Sequence, residues 1–358
     1  MTRPAVVFGG PSPEHDISVL TGLQAAHILA DAGRDVVGIF WAKTGRWYEV
    51  DPQLEAAAFA DGPPAKAREL RFVAEPGEGW SAKKKPLGVE TVLLCCHGAP
   101  GEDGTLQGAL DLVGIRYSGP GAAASSLGMD KLAFGSVVSA AGLPSLPRML
   151  IGPDHKPGFD GPYIVKPRYG GSSIGIEVVE DYDTALALAE TSIHLDHGGI
   201  LEPYLEGSRD LNLAIRTYPE LQLSAIEAPV SEGFYGYEEK YLSGGGLEGS
   251  ERALPASLPP AIEATMRDAA MTVAELAGVR SMARLDFLER AGEVWVNEIN
   301  TIPGSLSLYL WVDPPVSKRE LVLDLLTEVE QQPARRFSTA GADGTALRSA
   351  AAIAQKLG

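Results

Sequence analysis

Only two cysteines occur in 358 residues, and they stand side by side as Cys95 and Cys96. Neighbouring cysteines rarely bridge each other, so a disulfide framework is excluded and a reducing compartment is expected. Both close the apolar run over residues 91–96, which predicts core residues rather than reactive thiols. Positive charge is also scarce: 30 Lys and Arg stand against 47 Asp and Glu, a net charge of −17. That balance excludes a general nucleic-acid binder or a protein that coats an anionic membrane. A polyanionic ligand would have to be held by a few local cations, backbone N–H groups or metal ions. No apolar stretch reaches the length of a membrane span. The run over residues 5–8 is stopped by Gly9-Gly10-Pro11 before a signal-peptide core could form. Together these absences predict a cytoplasmic protein.

What is present is ordinary for a globular chain, 45% apolar and 22% charged. At roughly 150 residues per domain, the length predicts about two to three domains. Residues 5–8, 36–41 and 92–96 read as buried strands, with helices over 18–30 and 105–112. Strand, helix, strand in this order predicts a parallel sheet covered by helices. The stretch 51–86 reads as a polar connection rich in Pro and Gly, and Pro120-Gly121 as a boundary. Further helices are expected over 130–141, 183–193, 262–277 and 318–330, and strands over 199–204, 283–288 and 293–299. Residues 163–167 and 174–179 flank a Gly/Ser loop, as the arms of a hairpin would. Beyond Pro333 the pattern is weak, with a short helix expected over 346–355.

The strongest local signal is Lys166-Pro-Arg-Tyr-Gly-Gly-Ser-Ser-Ile-Gly175. A lysine ending a strand is followed by small residues whose N–H groups can approach a phosphate and by hydroxyls that add donors. A phosphate lid and a plain hairpin tip both fit. The spacing is not that of a P-loop, which opens a helix with Gly-Lys-Ser/Thr. Next come Arg284-Leu-Asp286 and Glu298-Ile-Asn300. On a strand, i and i+2 share a face. If these strands pair, Asp286, Glu298 and Asn300 offer oxygens to magnesium bound alongside phosphates, with Arg284 beside them to stabilise a developing oxyanion. Asn300 runs into Thr301-Ile-Pro-Gly304, a turn whose Gly304 N–H could serve the same oxyanion. In the Gly-rich loop over 8–18, Glu14 stands at the mouth of the predicted sheet, where a carboxylate can hold an ammonium group. Capping the following helix is its competing role. His97, Lys131 and Lys240-Tyr241 are suggestive only in company.

In this order the segments resemble the D-alanine–D-alanine ligases of the ATP-grasp superfamily. The resemblance runs from Val6 to about Leu326. It rests on Phe8-Gly-Gly…Glu14-His15, His97-Gly…Gly101-Glu-Asp-Gly-Thr-Leu-Gln-Gly108, Met129-Asp-Lys131, Lys166-Pro…Gly171-Ser-Ser-Ile-Gly175, Glu239-Lys-Tyr241, Arg284-Leu-Asp286 and Glu298-Ile-Asn-Thr-Ile-Pro-Gly304. It implies an α/β, three-domain ATP-grasp fold. Residues 1–119 would form a Rossmann-like, parallel-sheet substrate domain, 120–203 a central subdomain with the phosphate lid, and 204–358 a C-terminal domain with the metal site. ATP would lie between the last two.

The resemblance also implies roles. Lys131, Lys166, Ser173 and Lys240 would contact ATP, Glu202 and Leu205 its adenine, and Asp210 its ribose. Asp286, Glu298 and Asn300 would hold two magnesium ions, for which manganese can substitute. Glu14 would bind the first substrate's ammonium, with Ser172 and Tyr241 tied to it, while Arg284 and the Gly304 N–H hold the tetrahedral oxyanion. His97 and Ser307 would touch substrate. The implied activity is ATP-dependent joining of two D-alanine molecules through an acylphosphate for peptidoglycan precursors, in a homodimer with no nucleic-acid or membrane partner. The chain departs from the family pattern in places. Gly236 and Glu239 replace Asp and Ala, Pro203 replaces Lys, and Asp210 replaces Glu. The segment after Gly304 is also shorter, which makes Ser307 a substitute for the family's carboxylate-binding serine. Two other readings stay open: a ligase of this type joining other amino acids or a hydroxy acid, and an ATP-binding module without catalysis. Intact Lys166, Arg284, Asp286, Glu298 and Asn300 oppose the second.

Overall fold

Ala5–Gly9, buried at every position, forms strand β1 in a computed structural model that describes residues 3–229 and 252–349. Helix α1 (His15–Asp31) follows it. The same sheet takes β2 (Val37–Trp41), β3 (Trp47–Val50), β4 (Arg68–Val73), β5 (Gly79–Ala82), β6 (Lys85–Pro86), β7 (Thr91–Leu94) and β8 (Arg116–Tyr117), in the order β6-β5-β4-β3-β2-β1-β7-β8. Strands β2, β1, β7 and β8 run parallel, which is what the alternation of apolar strands with α1 predicts. From β2 to β6 the pairing is antiparallel. Residues 51–86 are therefore not merely a polar connection: they extend the sheet. Strand β4 exposes Arg68, Glu69 and Arg71 and buries Leu70. Trp80 of β5 is buried edge-on to Trp47 and Phe72, with ring centroids 5.3 and 5.2 Å apart.

Helices α2 (Thr105–Val113), α3 (Ala122–Met129) and α4 (Lys131–Ala140) lead to a second, antiparallel sheet. It contains β9 (Met149–Leu150), β10 (Tyr163–Pro167), β11 (Glu177–Val179) and β12 (Gly199–Pro203), ordered β11-β10-β12-β9, with α5 (Tyr182–Thr191) alongside. Strands β10 and β11 are the arms of the expected hairpin. The third sheet, also antiparallel, has the order β15-β14-β13-β16-β17. Its strands are β13 (Arg209–Arg216), β14 (Gln222–Pro229), β15 (Arg252–Ala253), β16 (Met282–Arg290) and β17 (Glu293–Asn300). Helix α6 (Pro260–Leu276) lays Met266, Ala269, Ala270 and Val273, spaced three and four apart, against Leu213, Leu285 and Phe287 of that sheet.

After β17 the chain returns to the first core. Leu306, Leu308, Leu310 and Trp311 enter it, followed by Leu321, Val322, Leu325 and Leu326 of α7 (Lys318–Gln331). Ser317 caps that helix, accepting from Glu320 N at 3.1 Å. Each buried leucine contributes roughly 1.5–3 kcal/mol, so the segment linking β17 to α7 is fixed between the first and third sheets. Cys95 and Cys96 are wholly buried in the first core, as expected, and burial pushes the Cys96 thiol up to about 12. Among the described residues no helix is long and apolar enough to cross a membrane. A final short helix, α8 (Thr345–Ser349), overlaps the start of the one expected over 346–355, the rest of which lies outside the described residues. Gly236, Glu239, Lys240 and Tyr241 lie outside the described residues.

Candidate active site

The ladder between β16 and β17 sets Arg284 opposite Asn300 and Asp286 opposite Glu298. Arg284 donates from Nε and Nη2 to the two oxygens of Asp286 at 2.6 and 2.7 Å, and Asn300 Nδ2 donates to Asp286 Oδ2 at 3.0 Å. Just past this point the register slips, so that Phe287 faces Val296. The bulge lets Asn297 share the side of Glu298 rather than alternate away from it. There its Oδ1 accepts from Lys166 Nζ at 3.1 Å. Among the described residues no three His, Cys, Asp or Glu side chains converge to cage a metal ion. Two carboxylates and an amide oxygen fit instead a hard divalent cation that arrives with phosphate oxygens.

A cavity of about 390 Å³ lies between the second and third sheets, the size of a small-molecule site. Leu146, Ile164, Leu205 and Leu288 give it apolar walls, and Lys131, Lys166, Ser173 and Asp210 give it polar ones. Lys166, near the end of β10, donates to Glu202 Oε2 at 2.7 Å. Glu202 is wholly enclosed, and its other oxygen lies 2.7 Å from Arg148 Nε. Burial alone would raise its pKa, but the charges of Lys166 and Arg148 outweigh burial and hold the carboxyl below its usual range. Arg148 also donates to the carbonyls of Lys131, at 2.8 Å, and Asn297. Lys131 opens α4, whose cap Asp130 accepts from Leu132 N and Ala133 N at 3.1 Å and is gripped by Arg168 at 2.8 and 2.6 Å. Both cavity lysines thus project from anchored strand and helix ends.

A second, smaller cavity adjoins the first. Glu14, His97, Ser172, Arg284, Asn300 and Gly304 line it, and Asp210, Asp286 and Glu298 line both. Glu14 stands at the N-terminus of α1 but makes no side-chain capping bond. It accepts from Ser172 Oγ of the Gly/Ser loop instead. His97 touches the cavity with both ring nitrogens engaged, by Thr21 at 2.8 Å and Ile302 O at 2.7 Å. Burial, with Arg284 nearby, lowers its pKa to about 4 and keeps it neutral.

Ser307, expected to touch substrate, is fully buried and, among the described residues, is not part of the cavity lining and finds no partner for its Oγ. Its neighbours Leu306 and Leu308 enter the first core. Among the described residues, the segment after Gly304 presents Tyr309 to the cavity. Its hydroxyl donates to Glu227 Oε2 at 3.1 Å, beside Asn212 Nδ2 at 3.0 Å on the same oxygen. Glu102 also lines the cavity and escaped the sequence reading as a single residue. Burial, reinforced by the charge of Glu14, pushes its carboxyl up to about 7.

Comparison with known proteins agrees with this layout. A family model described as "D-ala D-ala ligase N-terminus" matches residues 3–120, and one described as "D-ala D-ala ligase C-terminus" matches residues 155–327. A D-alanine–D-alanine ligase of Mycolicibacterium vanbaalenii is 34% identical over 97% of this chain and 99% of its own. One from Prochlorococcus marinus is 33% identical over 90% of this chain and 96% of its own. Among solved structures, the D-alanine–D-alanine ligase of Coxiella burnetii superposes with a TM-score of 0.76 at 22% identity, covering 92% of this chain and 93% of its own. The VanG D-Ala:D-Ser ligase of Enterococcus faecalis also gives 0.76, at 26% identity, over 92% of this chain and 99% of its own. With both terminal family models matched and relatives aligned end to end, this chain belongs to the D-alanine–D-alanine ligase family.

Proposed function

We propose that this protein joins two D-alanine molecules into D-alanyl-D-alanine at the expense of ATP, through an acylphosphate. The observation that carries this reading is the shared border of the two cavities. Asp286 and Glu298 line both, so a phosphoryl donor in the larger one would meet a carboxylate acceptor in the smaller one. In this reading the adenine lies against Leu205 above Glu202, the ribose near Asp210, and the phosphates against Lys131, Lys166 and the Ser173 loop. Asp286, Glu298 and Asn300 would hold two magnesium ions, which, when bound, neutralise charge on the phosphates.

Glu14 binds the ammonium of the first D-alanine, and the carboxylate of that molecule attacks the γ-phosphorus. The bond from phosphorus to the ADP oxygen breaks, leaving an acylphosphate and ADP. Lys131 and Lys166 neutralise the transferring group. The amine of the second D-alanine then attacks the acyl carbon. Arg284 and the Gly304 N–H hold the tetrahedral oxyanion until the carbon–oxygen bond to phosphate breaks. The bond between Ser172 and Glu14 ties the loop over the first substrate. Excluding water there matters, because an exposed acylphosphate hydrolyses.

The burial of Ser307, the expected contact for the second substrate, favours testing a second acceptor, such as a different amino acid or a hydroxy acid. Phosphate release with ATP, magnesium and D-alanine, D-serine or D-lactate, with mass detection of the product, decides. D-alanyl-D-alanine as the main product is expected, and a mixed product with D-alanine unused as acceptor would overturn the reading. A cytoplasmic location and a homodimer accompany it, to be checked by fractionation and light scattering.

A further inference from the structure

The loop that carries Gly304 is held by groups of the first sheet and its helix. Glu102 Oε1 accepts from Ile302 N at 2.8 Å. His97 Nδ1 lies 2.7 Å from Ile302 O, and His97 Nε2 lies 2.8 Å from Thr21 Oγ1. Ser305 N donates to the same Thr21 oxygen at 3.0 Å. Thr21, on the buried face of α1, is 1% exposed and His97 4%, so water does not replace these partners.

Only one direction satisfies the whole chain with a neutral ring. The Ile302 carbonyl can only accept, so His97 Nδ1 carries the hydrogen. Nε2 is then an acceptor, and the Thr21 hydroxyl gives its hydrogen to it. A lone pair on the same hydroxyl receives the Ser305 N–H. Thr21 therefore works in both senses, as donor to the ring and acceptor from the loop. A protonated ring would reverse the first bond and leave the threonine hydrogen competing for space with the Ser305 N–H. The depressed pKa of His97 agrees with this direction.

What Thr21 holds is a conformation that the loop would not adopt alone. Ser305, Leu306 and Ser307 have φ of 48°, 48° and 49°, three successive non-glycine residues in the left-handed region. L-residues take this up in a row only where surrounding contacts impose it. Gly304 lies between Ile302, anchored by Glu102 and His97, and Ser305, anchored by Thr21, and it lines the smaller cavity. We propose that Thr21 is a positioning residue for the ligation step, fixing the direction of the Gly304 N–H through His97 and Ser305. The proposal rests on the reading of Gly304 as an oxyanion donor.

The test compares Thr21→Val, which keeps the shape and removes the hydroxyl, with Thr21→Ser, which keeps the hydroxyl. Thr21→Val should lower kcat for dipeptide formation by up to about a hundredfold, as a misplacement near 1 Å does. KM for ATP should not move. Positional isotope exchange in ATP with D-alanine present reports the acylphosphate step, which precedes the oxyanion, and it should persist. Thr21→Ser should restore kcat to within a few-fold of wild type. Wild-type kcat in Thr21→Val, or equal loss of exchange and ligation, would overturn the role of Thr21. So would a Thr21→Ser variant as slow as Thr21→Val. If Thr21→Val does not fold, Thr21→Cys, with its weak donor, takes its place under the same criteria. Gly304→Pro, which lacks the N–H, separates the underlying reading: full ligation in that variant removes Gly304 as donor, whatever Thr21 does.

Discussion

Lys131 Nζ lies 3.4 Å from Glu298 Oε2, so a cation assigned to phosphate and a carboxylate assigned to metal are each other's counter-ion. Both are largely shielded, with side-chain exposures of 9% and 24%. Nucleotide and magnesium would have to take the two partners together, phosphate drawing Lys131 and the cation drawing Glu298. Removing the carboxylate should therefore weaken metal use rather than the fold. Glu298→Gln is expected to raise the magnesium concentration needed for half-maximal phosphate release. It should also cost several kcal/mol of transition-state stabilisation. A magnesium titration that superposes on the wild-type curve would place the metal elsewhere.

Arg148 is a second candidate for a measurable loss, this time in stability. It shares the enclosed Glu202 carboxylate with Lys166 and has 4% of its side chain exposed. Deleting one partner of a buried ion pair leaves a poorly compensated charge, and Arg148→Met should cost about 3 kcal/mol in urea unfolding. Removing the charge on Glu202 as well should return part of that loss. Arg148→Met with Glu202→Gln is thus expected to be less destabilised than the sum of the two single variants. Strict additivity would show that the pair is not coupled.

Much of the candidate site was legible because it lies on strands. Spacing of two residues fixes which side chains share a side, so Arg284, Asp286, Glu298 and Asn300 could be grouped before any pairing was known. Asn297 was hidden because a bulge, which the residue pattern does not announce, turns it toward Lys166. Arg148 and Asn212 belong to no motif, and their roles come from contacts with residues 54 and 15 positions away, Glu202 and Glu227. Thr21 looks like any threonine on a buried helix face. The antiparallel extension in 51–86 was missed because short edge strands with alternating charge read as loop, and only Leu70 and Trp80 betray an inner face. The burial of Ser307 was not legible for a different reason: shortening a loop changes which of its residues are enclosed, and spacing to a glycine does not capture that.

His97 makes a pH prediction about stability. Its pKa falls from 6.5 to about 4 on folding, with burial the main cause. The unfolded chain therefore binds more protons than the native one between those values, and stability rises with pH across that window. Seen from the acid side, the neutral ring's advantage is present above pH 6.5 and is lost as the pH falls toward 4. The total is about 3 kcal/mol. Urea unfolding across this range should show a shallower slope in His97→Gln than in wild type, whatever the absolute stability of the variant. Parallel slopes would mean that His97 titrates normally in the folded protein.

Gly171 offers a test of how closely the Gly/Ser loop must approach Glu14. A Cβ added there would lie 2.9 Å from Glu14 Oε2, too near for the carboxylate to stay in place. The same oxygen would be 2.6 Å from a Cβ at Gly98, but Gly98 has φ 67°, where alanine would also strain the backbone. Gly171 carries no such constraint, so Gly171→Ala tests the contact without straining the backbone. Its clashing neighbour is the far end of a flexible side chain, which can move. The thermal midpoint should therefore drop by less than about 4 °C, the shift for roughly 1 kcal/mol in a chain of this size or smaller. The cost should appear in substrate binding, because Glu14 is pushed from the position where it accepts from Ser172 and would meet an ammonium group. A charge-assisted hydrogen bond is worth about 1.5–3 kcal/mol, so KM for D-alanine should rise roughly tenfold or more. Gly171 also borders the larger cavity, so KM for ATP serves as the control, and the rise for D-alanine should exceed any rise for ATP. An unchanged KM for D-alanine in the folded variant would show that Glu14 does not bind the first substrate. A matching rise in KM for ATP would show that the loop, rather than Glu14, had been displaced.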